Sequence, residues 1–305
     1  MIDLVVSGSD MSGTSTQVGI LIDFFKNLGK RVKDIRGTEI DALFHAGIFK
    51  EYNEGYFNLK EYLQDPNVSD EKKKDFIYRA NELLFKLKIA SMIKNDITTY
   101  IDPDIADVWI MEEPAKRGGG QTVRTLEINR SQYGAETDQI SASFSYQVSR
   151  LDEYFRFRKV LREKDKIIIR SRSEESMCYQ VFDNKNLPNG ITKSVYIRLP
   201  GNKIAFSNPP THLFIACDPE LTKEKYVELK MQRGEGRNLD DFENDADYQI
   251  LVNKRYCSNW LERVYNETAK KYKSKCPQIF RFNMFLPKDK IKEIVESKMK
   301  NILGI

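Results

Sequence analysis

Histidine is almost absent from this chain. His45 and His212 are the two present in 305 residues, so a histidine-based metal site or a Ser–His–Asp triad has little to be built from. Cysteine is sparse and scattered: Cys178, Cys217, Cys257 and Cys276 form no C-x-x-C pair, which speaks against a zinc site or a disulfide framework. No apolar run approaches the roughly 20 residues that span a bilayer. The first residues enter a strand and a loop, not a secretion signal, so the expectation is a cytoplasmic protein without a membrane partner. Charge of one sign is lacking too. The 49 basic and 45 acidic side chains leave +4, too little for a global nucleic-acid footprint. Lys72 to Lys74 and Lys270 to Lys275 read as solvated helix faces. No internal repeat or low-complexity tract interrupts a length that suits one large or two modest domains.

The most telling absence is one lysine. Residues 8–15 carry the spacing G-x-x-x-x-G-[K]-[ST], with Gly8, Ser9, Asp10, Met11, Ser12 and Gly13 followed by Thr14 where the lysine belongs, then Ser15 and Thr16. A short apolar strand, Ile2 to Val6, runs in, and an amphipathic segment, Val18 to Leu28, runs out to a stop at Gly29. In such a loop the glycines let backbone N–H groups converge on phosphate oxygens, and the following helix adds the positive end of its dipole. Ser15 stands where a hydroxyl ligand of Mg²⁺ belongs. The cradle is present; its point charge is missing.

Further along, Arg31 to Ile35 reads as a second strand, and residues 37–107 as mainly helical, with helices expected over Glu39 to Tyr52 and Asp70 to Lys94. Ser69 and Asp70 supply a cap for the latter, and Asp102-Pro103-Asp104 breaks the pattern. Val108 to Met111 reads as a buried strand leading to Glu112-Glu113-Pro114. Lys116 to Gln121 is expected to be a flexible, glycine-rich loop. A helix over about 139–162 precedes a strand at Lys166 to Arg170, and Ser194 to Phe206 is expected to form a hairpin through Pro200-Gly201-Asn202. His212 to Cys217 is another buried strand, followed by helices at about 242–273 and 288–302 with a strand at Arg281 to Phe285 between them. Short strands alternating with helices predict an α/β fold of three layers on a mainly parallel sheet, with ligands at the carboxyl ends of the strands.

The order of motifs resembles the thymidylate kinase family of P-loop nucleoside-monophosphate kinases. Gly8 to Gln17 is similar to the family's G-x-D-G-x-G-K-S-T-Q, and Glu113-Pro114 with Gly118 to Gly120 resembles R-E-P-G-G-T. Tyr146 to Arg150 is similar to F-A-A-D-R, and Glu175 to Gln180 to S-S-L-A-Y-Q. Arg233-Gly234 and Asp240 to Glu243 resemble the lid's R-G and D-R-F-E. The resemblance implies a P-loop kinase core at 1–36 and 108–305, a helical insertion at 37–107 and a lid-like segment at 222–245. It implies ATP and Mg²⁺, a nucleoside monophosphate acceptor (thymidylate first) and a homodimer. Residues 8–16 would hold the triphosphate, with Ser15 as metal ligand and Asp10 near the acceptor. Arg150 would clamp the acceptor's phosphate, Tyr146 would stack on its base, and Glu113, Arg170, Arg172, Tyr179 and Gln180 would line its pocket. Lys230, Arg233 and Arg237 would close over the transferring group.

Three departures touch catalysis. Thr14 replaces the P-loop lysine; Arg170-Ser171-Arg172 stands where D-R-Y belongs; Asp241 replaces the arginine of D-R-F-E. Basic residues lie near each gap, at 116, 117, 170, 172, 233 and 237, so charge has either been lost or moved. Two other readings therefore stand beside the kinase. One is the same fold acting on a larger acceptor such as an RNA end; the other is a nucleotide-binding regulator without catalysis. Arg31 to Ile35 with Arg36-Gly37-Thr38 also competes with residues 108–114 for the place of the family's second strand.

Overall fold

The computed structural model describes residues 1–37, 59–94, 102–124, 139–181, 191–234 and 244–305. Six strands form one sheet: β1 (Ile2–Gly8), β2 (Val32–Asp34), β3 (Val108–Glu112), β4 (Ile167–Ser171), β5 (His212–Cys217) and β6 (Gln278–Asn283). Their order is β2-β3-β4-β1-β5-β6, and every pair is parallel. The fold is therefore α/β, with the sheet wholly parallel where the sequence predicted it mainly so. The two segments competing for one place are separated by this order. β3 lies against β4, and β2 is the edge strand beyond it.

Alternation along the central strands explains the layers, because a parallel strand buried on both faces sends successive side chains to opposite helices. Leu4 and Val6 pack with Val18, Leu21 and Phe25 of the helix Thr14–Asn27 and with Val295 and Met299 of the helix Lys288–Leu303. Val5, Leu213 and Ile215 face the other way, onto Tyr196, Phe206, Val252, Tyr256 and Leu261. At the β2 end, Trp109, Met111 and Ile168 meet Phe157 and Leu161 and also Tyr62, Phe76 and Ala80. The described residues 59–94 thus share a core with the sheet.

The helix Asp70–Lys94 forms as predicted, with Ser69 Oγ accepting from Lys72 N at 3.3 Å; the helix expected over Glu39 to Tyr52 lies outside the described residues. Residues 139–163 are helical throughout, but Tyr154–Arg158 winds as a π-turn between the α-helices Gln139–Glu153 and Lys159–Glu163.

Three expectations are corrected. Ser194 to Phe206 is not a hairpin but two helices, Lys193–Tyr196 and Pro200–Ser207. Proline opens the second at its first position, where its missing N–H costs nothing. Gly201 sits so close to the neighbouring helix that a Cβ there would lie 2.7 Å from the Gln147 carbonyl oxygen, a contact open only to glycine. Lys116 to Gln121 is not a loop throughout: Gly118–Val123 is helical, and Gly120 packs against Ala115, where a Cβ would meet the Ala115 carbonyl at 2.3 Å. The long helix expected at 242–273 is two, Ala246–Cys257 and Trp260–Tyr272, parted where Ser258 Oγ accepts from Trp260 N.

Candidate functional site

The loop after β1 sits at the centre of the sheet's carboxyl edge, between the ends of β4 and β5. Gly8 pairs with Ala216, and a Cβ at Gly8 would stand 2.4 Å from both the Ala216 carbonyl and Ser12 Oγ. Gly13 adopts φ +81° and opens the helix Thr14–Asn27 without a side-chain cap. That first turn carries no acidic residue of its own to compete for its backbone donors. Ser12 Oγ is buried with no hydrogen-bond partner among the described residues, while Ser15 and Thr16 are exposed and Thr14 half-buried. A closed backbone cradle with an orphaned hydroxyl and an open hydroxyl at Ser15 fits the phosphates of a nucleotide and a Mg²⁺ ion.

Asp10, on the crest of this loop, is held from two sides. Arg172 Nη2 donates to its Oδ1, and Gln249 Nε2 donates to its Oδ2 at 2.6 Å while accepting from its backbone N–H at 3.0 Å. Arg172 lies over the Tyr179 ring at 4.7 Å; Tyr179 Oη donates to the Gly8 carbonyl at 3.1 Å, and Tyr248 Oη to the Tyr179 carbonyl at 2.6 Å. Burial works against the Arg172 charge, but Tyr179 and Asp10 outweigh it and raise its pKa well above the ordinary value. Met11 and Arg172, the residues flanking Asp10 in sequence and in space, both take positive φ, 63° and 65°. Such conformations cost about 1–3 kcal/mol in non-glycine residues and concentrate at binding sites.

Arg150 is buried and makes three hydrogen bonds. Its Nε donates to Glu113 Oε1 at 2.6 Å, Nη1 to Asn202 Oδ1, and Nη2 to the Ser173 carbonyl at 3.5 Å. Its guanidinium lies 5.8 Å from the Tyr146 ring centre and 5.6 Å from that of Tyr196. Burial of its hydroxyl pushes the pKa of the half-buried Tyr146 up to about 12 despite the nearby Arg150. Arg170 turns instead into the interior, to Asp3 Oδ1 at 3.0 Å and to Ser173 Oγ and Glu174. Gln180 is buried with Oε1 unpartnered. Arg117 is equally committed, to Glu153 at 2.7 Å and to the Ile35 carbonyl.

Arg233, at the end of the helix Lys223–Gly234, crosses to the loop: Nη1 donates to the Met11 carbonyl at 2.5 Å and Nη2 to the Met284 carbonyl at 3.2 Å. Lys230 reaches Asn244 Oδ1 at 3.4 Å. Arg237 and Asp240 to Glu243 lie outside the described residues. Beyond the carboxyl ends of β5 and β6 opens a cavity of about 380 Å³, lined among others by Asp218, Leu229, Gln232, Asn283 and Phe285.

Several residues at the loop were not singled out from sequence. Tyr248, Gln249, Asn253 and Tyr256 project from one face of the helix Ala246–Cys257; Asn253 brackets the Asp218 backbone at 3.1 and 2.6 Å. Their offsets of one, five and eight residues from Tyr248 are the signal that would have found them. Ser7 and Glu175 were missed as well. Ser7 Oγ donates to Glu175 Oε1 at 2.7 Å and lies 2.9 Å from Tyr256 Oη, and burial together with Glu174 raises the Glu175 pKa to about 7.

No helix among the described residues is long and apolar enough to cross a membrane, and no cluster of His, Cys, Asp and Glu among them is arranged to hold a metal ion by itself. No protein-family model matches the chain, and no curated protein matches it. Among solved structures it is similar to a thymidylate kinase from Ehrlichia chaffeensis, over 99% of this chain and 97% of that one, at 14% identity and a TM-score of 0.45.

Proposed function

We propose that this chain is a Mg²⁺-dependent phosphotransferase that moves the terminal phosphoryl group of ATP to a nucleoside monophosphate, with thymidylate as the preferred acceptor. The observation that carries the reading is the loop at 8–16. It opens an uncapped helix, closes so tightly at Gly8 that no side chain fits, and leaves Ser12 Oγ without a partner. Phosphoryl transfer asks a protein mainly for placement and charge compensation.

In this reading the Gly8–Thr16 backbone holds the donor's phosphates, and Ser15 offers its hydroxyl to Mg²⁺, whose charge offsets that of the phosphate oxygens. Phe285, 38% exposed, presents a ring beside the cavity next to Arg233 as a platform for the donor's base. On the other side of Asp10, Arg172 and Arg150 hold the acceptor's phosphate and Tyr146 packs on its base. An acceptor phosphate oxygen then bonds to the terminal phosphorus as the bridge to the donor's diphosphate breaks. Purified protein with ATP, Mg²⁺ and each common monophosphate, followed for diphosphate formation, tests the reading. Turnover no greater than that of a Ser15→Ala control sinks it.

One observation favours a nucleotide-binding protein without catalysis. Both cations on the acceptor side are paired, Arg150 with Glu113 and Arg172 with Asp10. Calorimetry separates the two, since binding without turnover is its signature. The larger-acceptor reading loses two of its supports, because the expected hairpin is helical and Arg170 faces Asp3.

A further inference from the structure

Of the six basic positions near the site, the structure distinguishes one. Arg117, Arg170 and Arg172 are each bound to a carboxylate: Glu153, Asp3 and Asp10. Lys116 is exposed beside the short helix Gly118–Val123, and Arg237 lies outside the described residues. Arg233 differs from all of these. Among the described residues it has no ion-pair partner, and both of its recorded contacts are to backbone carbonyls, of Met11 on the loop's crest and Met284 after β6. Its Nη1 would lie 3.7 Å from a Cβ built on Gly13, one residue before Thr14.

We infer that Arg233 supplies the positive charge missing at Thr14, contacting the outer phosphates of a bound nucleoside triphosphate from a helix more than 200 residues away in sequence. The inference rests on the nucleotide-binding reading of the loop and adds the residue that replaces its lysine. A guanidinium carries five N–H donors, and two carbonyls leave most of them for phosphate oxygens. Half-buried without a carboxylate, it is a cation whose natural counter-ion is an anion brought from outside. Burial already pushes its pKa below the ordinary value, so a phosphate at this place relieves an unfavourable charge as well as gaining hydrogen bonds. Met284 also accepts a weak contact from Ser9 Oγ at 3.9 Å, so Arg233 ties the loop to the end of β6.

The test is calorimetric and independent of turnover. Mg·ATP and AMP are titrated into the wild-type chain, Arg233→Ala, Arg233→Gln, Thr14→Lys and the double variant Thr14→Lys/Arg233→Ala, with melting temperatures recorded alongside. Arg233→Ala is expected to weaken Mg·ATP about tenfold to a hundredfold, as loss of a charge-assisted contact does, and to leave AMP within about twofold. Thr14→Lys alone should give no gain, because two cations then share one place; in the Arg233→Ala background it should restore most of the lost affinity. Arg233→Gln keeps two donors without the charge, and a loss there at unchanged melting temperature assigns the effect to charge. Wild-type affinity for Mg·ATP in both Arg233 variants overturns the inference and leaves the nucleotide reading standing. So does a large gain from Thr14→Lys alone. Failure of the wild-type chain to bind Mg·ATP overturns both.

Discussion

Asp3 and Arg170 lie on neighbouring strands, two rungs apart, and are joined by a 3.0 Å hydrogen bond inside the protein. Asp3 is wholly buried, and its other oxygen accepts from Arg158 at 2.8 Å and Arg162 at 2.7 Å. Burial opposes its charge, but Arg158, Arg170 and Arg162 together outweigh that and bring its pKa down to about 2. One carboxylate thus anchors the strand leading into the loop at 8–16 to β4 and to the helix that carries Arg150.

Asp3→Asn should therefore be among the most damaging substitutions outside the loop, because it strands buried guanidinium groups. The expected cost is about 3–5 kcal/mol, read as a shift in the urea midpoint. The sign of the pH dependence follows. The folded pKa lies below the unfolded value of 3.8, so this contribution is complete above about pH 4 and is lost as pH falls towards about 2. In Asp3→Asn that part of the acid transition should be missing.

Glu175 works in the opposite sense. Burial and Glu174 hold its pKa at about 7 in the folded chain against 4.5 unfolded. The folded state keeps a proton that the unfolded state gives up, so stability falls as pH rises from about 4.5 to 7 and then levels. Glu175→Gln can still accept from Ser7 and from the Ser173 N–H. It should gain on the order of 1–3 kcal/mol over the wild type at pH 8 and little at pH 4. Equal differences at the two pH values, from denaturant titrations, would refute this.

Gly8→Ala should abolish nucleotide binding at a modest price in stability. A Cβ there would meet the Ala216 carbonyl and Ser12 Oγ at 2.4 Å, and neither a β5 backbone atom nor a buried side chain can yield without opening the loop. The expected loss is about 1–3 kcal/mol, with calorimetric binding of Mg·ATP falling below detection.

Arg150→Lys should fail as a conservative change. The guanidinium holds Glu113, Asn202 and Ser173 at once, a fork that an ammonium cannot reproduce. In a diphosphate-formation assay the expected result is a drop of about a hundredfold or more in kcat/KM for the monophosphate. The affinity for Mg·ATP should hold within about twofold.

The strands and the loop were legible in the sequence because they depend on local pattern. Ile2 to Val6, Val108 to Met111 and His212 to Cys217 are short, largely apolar runs whose positions the sheet reproduces. Ser194 to Phe206 was misread because Val195, Tyr196 and Ile197 favour strands and Pro200-Gly201-Asn202 resembles a turn. Burial of Tyr196 and the close seat of Gly201 on the Gln147 backbone decided for helix. Around the site, Glu113 with Arg150 and Asp10 with Arg172 follow from motif order only as neighbours; that they pair is a matter of distance in space. Gln249, which holds Asp10 at both its backbone and its carboxylate, lies 239 residues from it, and no local pattern joins the two.

The π-turn at Tyr154–Arg158 sets the phase of the long helix. An α-helix turns about 100° per residue, so eight residues of it would leave Arg158 roughly 80° out of line with Arg150. The wider turn rotates the chain less per residue, and both guanidinium groups end up buried, one on Glu113 and one on Asp3. The turn is thus a phase corrector between two arginines with different duties. Deleting one residue from it would leave the helix able to reach Glu113 with Arg150 or Asp3 with Arg158, but not both.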